Sequence, residues 1–466
     1  MPEPLAPAVL AELARIFGAA AVLTAPEDCL PYGYDNSRRQ AMPRAVVFAT
    51  GHAQVVDLLR LANRQGLAVV ARGRGTGTTG ATVPLDGAIV LSLERMNRIL
   101  EVDPDNRLAR VEPGVINQDL QDAVGAHGFF WPPDPTSAGY STIGGNLAYN
   151  SAGPRAVKYG TPRENTLGLR AVTGAAEEIR TGVMTTKGVV GYDFTRLLIG
   201  SEGTLAIITE ATLKLTPLPQ AKRTLQAVYA DIHAAAAAVK AVMRQPTVPC
   251  ALEFMDGAAI GMVRDYADLD LGARAGALLM MEVDGSAGAV DEAAQAVAAA
   301  ADVPGCLAVE VARTAADIAH LWRARKALSP ALRNIAPNKI NEDVVVPVAH
   351  IPDLIEGLEG LARSHGIPIV NFGHAGNGNI HVNLLVDPEN APQMAALDPC
   401  LDAVFELVLR LDGTLSGEHG VGLAKRDFVD REIDPTTLEL MRRVKSQFDP
   451  EGVLNPGKAL PPRPAA

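Results

Sequence analysis

The 466-residue chain is too long for one hydrophobic core and suits two or three domains. Hydrophobic residues make up 48% of it and charged residues 20%, which excludes the disordered and fibrous classes. The formal charge of -11, from 42 Lys and Arg against 53 Asp and Glu with no block of like sign, argues against nucleic acid as a partner. Residues 1–20 carry two acids and one arginine around Leu10, Leu13, Ile16 and Phe17, which predicts an amphipathic surface helix and not a signal or transit peptide. Cys29, Cys250, Cys306 and Cys400 lack CxxC spacing, so a disulfide framework, zinc knuckle or iron-sulfur cluster is not expected and a reducing cytoplasm fits. No apolar run reaches the ~18 residues of a membrane span, so any membrane contact would be peripheral.

From residue 44 the pattern predicts a strand over 45–50, a helix over 52–65, a strand over 67–71, a glycine-rich loop and a strand over 88–93. The apolar period switches between two and about 3.6, as alternating α and β elements require. The loop 72–80 reads RGRGTGTTG, and Gly75-Thr-Gly77-Thr-Thr-Gly80 matches GxGxxG. A Rossmann fingerprint must open a helix and be followed by an acid ~20 residues on. Here Pro84, Leu85, Asp86 and Gly87 lead into a strand instead. Consecutive glycines still let backbone N–H groups form a nest for a pyrophosphate, and a plain glycine turn is the competing reading.

A second Gly/Pro/Ser-rich stretch, 132–160, is too long for a connector and is expected to hold a ligand. Ile199-Gly200-Ser201-Glu202-Gly203-Thr204-Leu205 repeats the theme before a strand over 206–208. The prolines around 213–220 mark a domain boundary. Beyond it, alanine-rich helices over 234–243 and 290–300 alternate with strands over 277–283 and 307–311, predicting an α+β layer with helices on one face of an antiparallel sheet.

Residues 368–386, PIVNFGHAGNGNIHVNLLV, place Asn377-Gly378 between two apolar runs, a strong hairpin signal. Counting back from a two-residue turn pairs Gly376 with Asn379, Ala375 with Ile380 and His374 with His381. Opposed residues on one face lie ~5 Å apart at Cβ, close enough to chelate one ion. Glu418, in the glycine-flanked Gly417-Glu418-His419-Gly420, offers a third ligand of the His2Glu type. The competing reading is a metal-free pair of hydrogen-bonded histidines. In extended backbone His419 would point away from its neighbour Glu418, free to take a proton near neutral pH, unless it is itself a ligand.

The ordered motifs RGxGTGxTG, PPDP, STIGGN, NSAG, KYG, GSEGTL, GHAGNGNIH, SGEHGVG and NPGK cover nearly the whole chain. Together they resemble the FAD-linked D-2-hydroxy acid dehydrogenases, the group that includes D-lactate dehydrogenase, glycolate oxidase and D-2-hydroxyglutarate dehydrogenase. The resemblance implies an α+β chain of the vanillyl-alcohol oxidase and p-cresol methylhydroxylase type. Residues 1–219 would form an FAD-binding domain of two α/β subdomains, 220–412 a substrate (cap) domain whose antiparallel sheet is covered by helices, and 413–466 a segment returning to the FAD domain.

Cofactor contacts implied by the resemblance are Arg72, Gly73, Arg74, Gly75, Thr76 and Gly77 in the first loop, and Pro133, Asp134, Ser137, Thr142, Gly144, Gly145, Asn146, Asn150, Gly153, Tyr159 and Gly160 in the second. Glu202, Gly203, Ile207, Ile208 and Asn455 complete them. Thr76 stands where relatives with covalent flavin carry histidine, so the FAD is expected to be non-covalent. Ala206, where relatives have glycine, and residues 173–176, expected in a surface loop, depart from the pattern.

The same resemblance makes His374, His381 and Glu418 ligands of a divalent metal, zinc or manganese, and Arg325 the anchor of a substrate carboxylate, whose planar fork suits it. Lys339 and Asn341 are further substrate candidates; hydroxyglutarate enzymes have a lysine near Asn341. The implied activity is oxidation of a D-2-hydroxy acid to the 2-oxo acid by hydride transfer to flavin N5, with His419 as base and electrons leaving to a quinone, cytochrome or electron-transfer flavoprotein. A homodimer is left open. Rival readings are a metal-independent FAD alcohol oxidase using oxygen and a flavin-binding subunit of a larger complex.

Overall fold

The computed structural model describes residues 2–463 apart from 268–271, 320, 323–327, 329–330 and 333–335. Two compact units emerge: Met1–Gly153, Gly160–Leu218 and Glu418–Ala466 form the first, and Pro154–Tyr159 with Pro219–Gly417 the second.

In the first unit, β1 (Val22–Leu23), β2 (Ala45–Phe48), β3 (Val69–Arg72) and β4 (Ile89–Ser92) make a sheet of order β1-β2-β4-β3. β2 and β3 both run parallel to β4, and Ala-Val-Val-Phe and Ile-Val-Leu-Ser are buried at every position. Unbroken apolar runs are what parallel strands covered on both faces require. The crossover helix His52–Gln65 buries Val55, Leu58, Leu59 and Ala62 and stops at Gly66, whose φ of 63° is a left-handed cap. The N-terminal helix Pro7–Phe17 starts on proline and turns Val9, Leu13 and Phe17 into the same core.

The chain continues through β5 (Ile99–Asp103), β6 (Leu108–Val111), β7 (Phe129–Phe130), β8 (Thr166–Thr173), β9 (Glu178–Gly182), β10 (Ala206–Lys214) and β11 (Thr216–Pro217). Five of these form an antiparallel sheet of order β5-β6-β10-β8-β9, while β7 pairs with β11. The loop 173–176 is not at the surface as expected. Thr173 is 3% and Ala176 9% exposed, and Ala175 N donates to Phe448 O at 3.1 Å. That partner ends the C-terminal helix Pro435–Phe448, so the burial comes from a contact with no local signature.

The second unit holds β12 (Ala221–Tyr229), β13 (Ala251–Asp256), β14 (Ala277–Gly285), β15 (Cys306–Val311), β16 (Asn338–Val345), β17 (Ile369–His374) and β18 (Asn379–Val386). They form one antiparallel sheet of order β15-β12-β14-β13-β17-β18-β16. Helices cover both faces, correcting the expectation of one. Leu278 and Met280 of β14 pack with Ala259, Ile260 and Val263 of the helix Gly257–Ala267. Leu279 and Met281 point the other way and are equally buried, and the helices Ile232–Arg244 and Val290–Ala301 touch β12 and β14. The unbroken run Leu-Leu-Met-Met in place of alternation is the physical reason, since both faces must be kept from water.

Candidate active site

A cleft lies in the first unit. Its walls are the end of β3 with Gly73, the helix Ile143–Tyr149, the turn 198–203 and the start of β10. Thr142 caps that helix, its hydroxyl accepting from Gly145 N at 3.2 Å. A Cβ on Gly73 would sit 2.3 Å from Thr142 Oγ1, so the two glycine-rich segments meet where a side chain does not fit.

Charged side chains in the lining face protein groups. Arg72, its guanidinium pushed down by burial, donates to Tyr34 O at 2.7 Å and to Pro31 O and Thr82 Oγ1 at 3.3 Å. Burial also pushes the Glu202 carboxyl above the usual range, against the opposing pull of its amide donors. The phenol of Tyr149 is raised well above its ordinary value by burial and then by Glu202. A ligand therefore meets close backbone and the apolar side chains of Leu93, Leu198, Ile207 and Ile208. That lining fits a dinucleotide with a flat ring system, because N–H groups can hold a pyrophosphate while apolar walls sandwich the ring.

The segment carrying Glu418 and His419 is strapped to the first unit by three of these motifs. Glu418 Oε2 accepts from Gly153 N at 2.7 Å and Ala152 N at 3.3 Å, both of NSAG. Thr79 Oγ1 of the glycine loop donates to His419 O at 3.2 Å, and Thr79 O accepts from Leu423 N at 2.8 Å and Ala424 N at 3.0 Å. Glu202 of GSEGTL accepts from Val421 N at 2.5 Å and Gly422 N at 2.8 Å.

In the second unit the hairpin register differs from expectation. His374 stands opposite Asn379, and His381 opposite Phe372. The turn is longer than two residues: Ala375–Asn377 form a 3-10 turn, and Gly378, at φ 73°, donates its N–H to Ala375 O at 3.1 Å. The shift is an even number of residues, so both histidines stay on one face, as diagonal neighbours with ring centroids 5.2 Å apart. Both are buried, and His374 Nδ1 lies 2.5 Å from Glu253 Oε1. On β16, Asp343 opposes His381, and its Oδ2 accepts from Gly417 N at 3.0 Å. The two close, buried imidazoles offer ligand atoms of the kind borderline divalent metals take.

The C-terminal domain of FAD linked oxidases matches residues 218–459, and an FAD binding domain matches residues 43–182. The chain belongs to the FAD-linked oxidase family. It is 38% identical to the glycolate oxidase subunit GlcD of Bacillus subtilis (strain 168), over 92% of each chain. It is 31% identical to the D-2-hydroxyglutarate dehydrogenase of Stutzerimonas stutzeri (strain A1501), over 97% of this chain and 98% of that one. Substrate-bound p-cresol methylhydroxylase shares the fold, with a TM-score of 0.81 over 99% of both chains at 17% identity. The protein is thus an FAD-linked oxidoreductase with the expected p-cresol methylhydroxylase-type fold, and the matching domains make FAD its cofactor.

Not all residues expected at the flavin of this FAD-linked oxidase line the cleft. Arg72, Gly73, Thr142, Gly144, Gly145, Glu202, Gly203, Ile207 and Ile208 do. Arg74 pairs with Glu94 at 3.4 Å, and the carbonyls of Thr76 and Gly77 accept from Asn36 at 3.3 and 2.9 Å. Gly75, at φ 66°, lies against the Arg72 guanidinium. Pro133 O and Asn146 Oδ1 both accept from Asn117 Nδ2, at 3.1 and 3.0 Å. Asp134 N donates to Ala152 O, and Ser137 O accepts from Tyr140 N and Ser141 N. Asn150 caps its helix at φ 55° and accepts from Thr161 Oγ1 at 3.0 Å, while Gly160, at φ 79°, faces Glu164. Tyr159 belongs to the second unit, where its hydroxyl donates to Asp284 Oδ2 at 2.8 Å beside Lys158, which donates to the same carboxylate. Asn455 acts as a clamp: its Nδ2 donates to Ala81 O at 2.9 Å and Glu202 O at 2.8 Å, and its N–H to Val69 O at 2.9 Å.

Of the substrate candidates, Arg325 lies outside the described residues. Asn341 donates to Asn383 Oδ1 at 2.7 Å and, with the exposed Lys339, occupies the same sheet face as the histidines. Sequence reasoning missed Glu253, Asp343 and Asn383 on that face. An acid inside the apolar run Ala-Leu-Glu-Phe-Met-Asp was the available signal for Glu253. Among the described residues no helix is long and apolar enough to cross a membrane.

Proposed function

We propose that the protein oxidises a small D-2-hydroxy acid, of the glycolate, D-lactate or D-2-hydroxyglutarate class, to the 2-oxo acid. The observation that carries this is the strapping of the segment that carries Glu418 and His419 by Gly153, Thr79 and Glu202, from three glycine-rich motifs of which two, those of Thr79 and Glu202, also line the flavin cleft. The substrates in the names of the Bacillus subtilis and Stutzerimonas stutzeri relatives support the same class. Bound FAD supplies the hydride acceptor, and a zinc or manganese ion on His374, His381 and Glu418, each offering one ligand atom, supplies Lewis-acid charge at the hydroxyl.

The protein's own residues then have distinct tasks. An imidazole nitrogen of His419 takes the hydroxyl proton, with the backbone of that residue held by Thr79. Arg325 holds the C1 carboxylate in a bidentate pair. Lys339 and Asn341 meet the far end of the substrate, and asparagine in place of the lysine of hydroxyglutarate enzymes favours an acid with a single carboxylate. The apolar cleft wall keeps water from the reacting carbon. Electrons pass on to a quinone, cytochrome or electron-transfer flavoprotein.

Anaerobic titration of the purified protein with paired D- and L-2-hydroxy acids, following flavin absorbance with and without chelator, tests the reading. Bleaching by D-acids alone, suppressed by chelator, is expected. His419→Ala is expected to slow it by ~100-fold or more, the usual contribution of a positioned base. Bleaching by none of the acids overturns the substrate class, and an unimpaired His419→Ala protein overturns the base.

A further inference from the structure

We propose that Glu253 is a positioning residue for His374: it holds the ring so that Nδ1 carries the hydrogen and Nε2 presents its lone pair to the ion. The inference rests on the metal reading above and deepens it. Glu253 stands on β13 directly opposite His374 on β17, and its Oε1 lies 2.5 Å from His374 Nδ1. An ionised carboxylate only accepts, so the shared hydrogen belongs to Nδ1 and the tautomer is set.

Burial makes this arrangement informative. Glu253 is 2% exposed, and its strand neighbours Leu252 and Phe254 are 1% exposed. A carboxylate in such surroundings costs several kcal/mol relative to an apolar residue unless a partner compensates. Met280 opposes it on β14, and on the other flanking strand the imidazole of His374 is a compensating group. His374 is itself within 5.2 Å, centroid to centroid, of His381 on the adjoining strand, so a ring rotation at His374 would alter the spacing of the pair. Carboxylates in this relation to a ligating histidine fix its orientation and raise its basicity.

The test uses full-length, FAD-loaded protein stripped of metal, titrated with zinc against a chromophoric chelator. Wild type is expected to bind one ion that His381→Ala abolishes. Glu253→Leu is expected to weaken zinc about 10- to 100-fold, as loss of such partners does, and Glu253→Gln by less, with flavin content unchanged in both. Cobalt substitution adds a spectroscopic readout: its visible bands should shift in Glu253→Gln. Zinc affinity equal to wild type in either variant overturns the proposal, leaving Glu253 a structural partner whose loss lowers only thermal stability. Should Glu253→Leu fail to fold, Glu253→Gln decides alone. If wild type takes up no ion that His381→Ala removes, the metal reading falls and the positioning role with it.

Discussion

Gly378 closes the turn between the two histidine strands, and replacing it with alanine asks whether that turn sets their pairing. At its φ of 73° an alanine costs about 1–2 kcal/mol, the left-handed penalty of a residue with a Cβ. The Cβ would also lie 1.9 Å from Val346 O, a backbone atom that cannot rotate away. Relief means shifting the chain that leaves β16, where Val346 N donates to Gly378 O at 3.1 Å, and losing that bond adds about 1 kcal/mol. Together roughly 2–3 kcal/mol is expected, or a melting point lower by roughly 4–12 °C for a unit of this size. Circular dichroism melts of the FAD-loaded protein read the stability, and zinc titration reads the histidine pair, because a slip of one residue would send the two rings to opposite faces. Gly261→Ala is the control: it sits in the helix Gly257–Ala267 with nothing within 4 Å of its Cβ, and helix propensity makes it neutral or stabilising by up to ~1 kcal/mol. A Gly378→Ala protein that melts like wild type and takes up zinc normally would refute the claim that this turn holds the register.

Gly73→Ala forces a Cβ onto Thr142 Oγ1; overpacking of about 1–3 kcal/mol should lower FAD retention roughly 10- to 100-fold, and a full flavin-to-protein ratio after dialysis would count against the proposed cradle. Asp256 is pushed up to about 6 by burial, in spite of amide donation from Ala259 and the donors of Asn371. Because the folded pKa is the higher one, its contribution is fully present below about pH 3.8 and is lost as pH rises through about 6, some 3 kcal/mol in all. Asp256→Asn should remove that slope from stability measured between about pH 4.5 and 7; an unchanged slope would show that another group carries it. Tyr159→Phe breaks the bond to Asp284 and should cost about 1–2 kcal/mol while flavin content stays whole. Loss of flavin instead would return Tyr159 to the cofactor.

Local pattern was enough for much of the chain. The helix His52–Gln65 was legible to the residue because its apolar period of 3.6 is bounded by Gly51 and Gly66. The three parallel strands around it read as unbroken apolar runs, and the order of nine short motifs pointed to the family. In the hairpin, the period of two kept His374 and His381 on one face even though the expected turn was too short. What no local rule supplied was the turn length, which depends on how Gly378 fits against the chain after β16.

Partner choice was likewise decided only in three dimensions. Gly153 and Glu418 are 265 residues apart, and Asn455 and Ala81 are 374 apart. A glycine-rich or amide-bearing motif announces donors and acceptors ready to be used. Whether they meet a cofactor or another stretch of protein depends on what packing brings within 3 Å, since a buried polar group binds the partner the fold delivers. Residue types, periods and caps are properties of neighbours in the chain; the straps around Glu418 and His419, and the acid behind His374, belong to the packed structure.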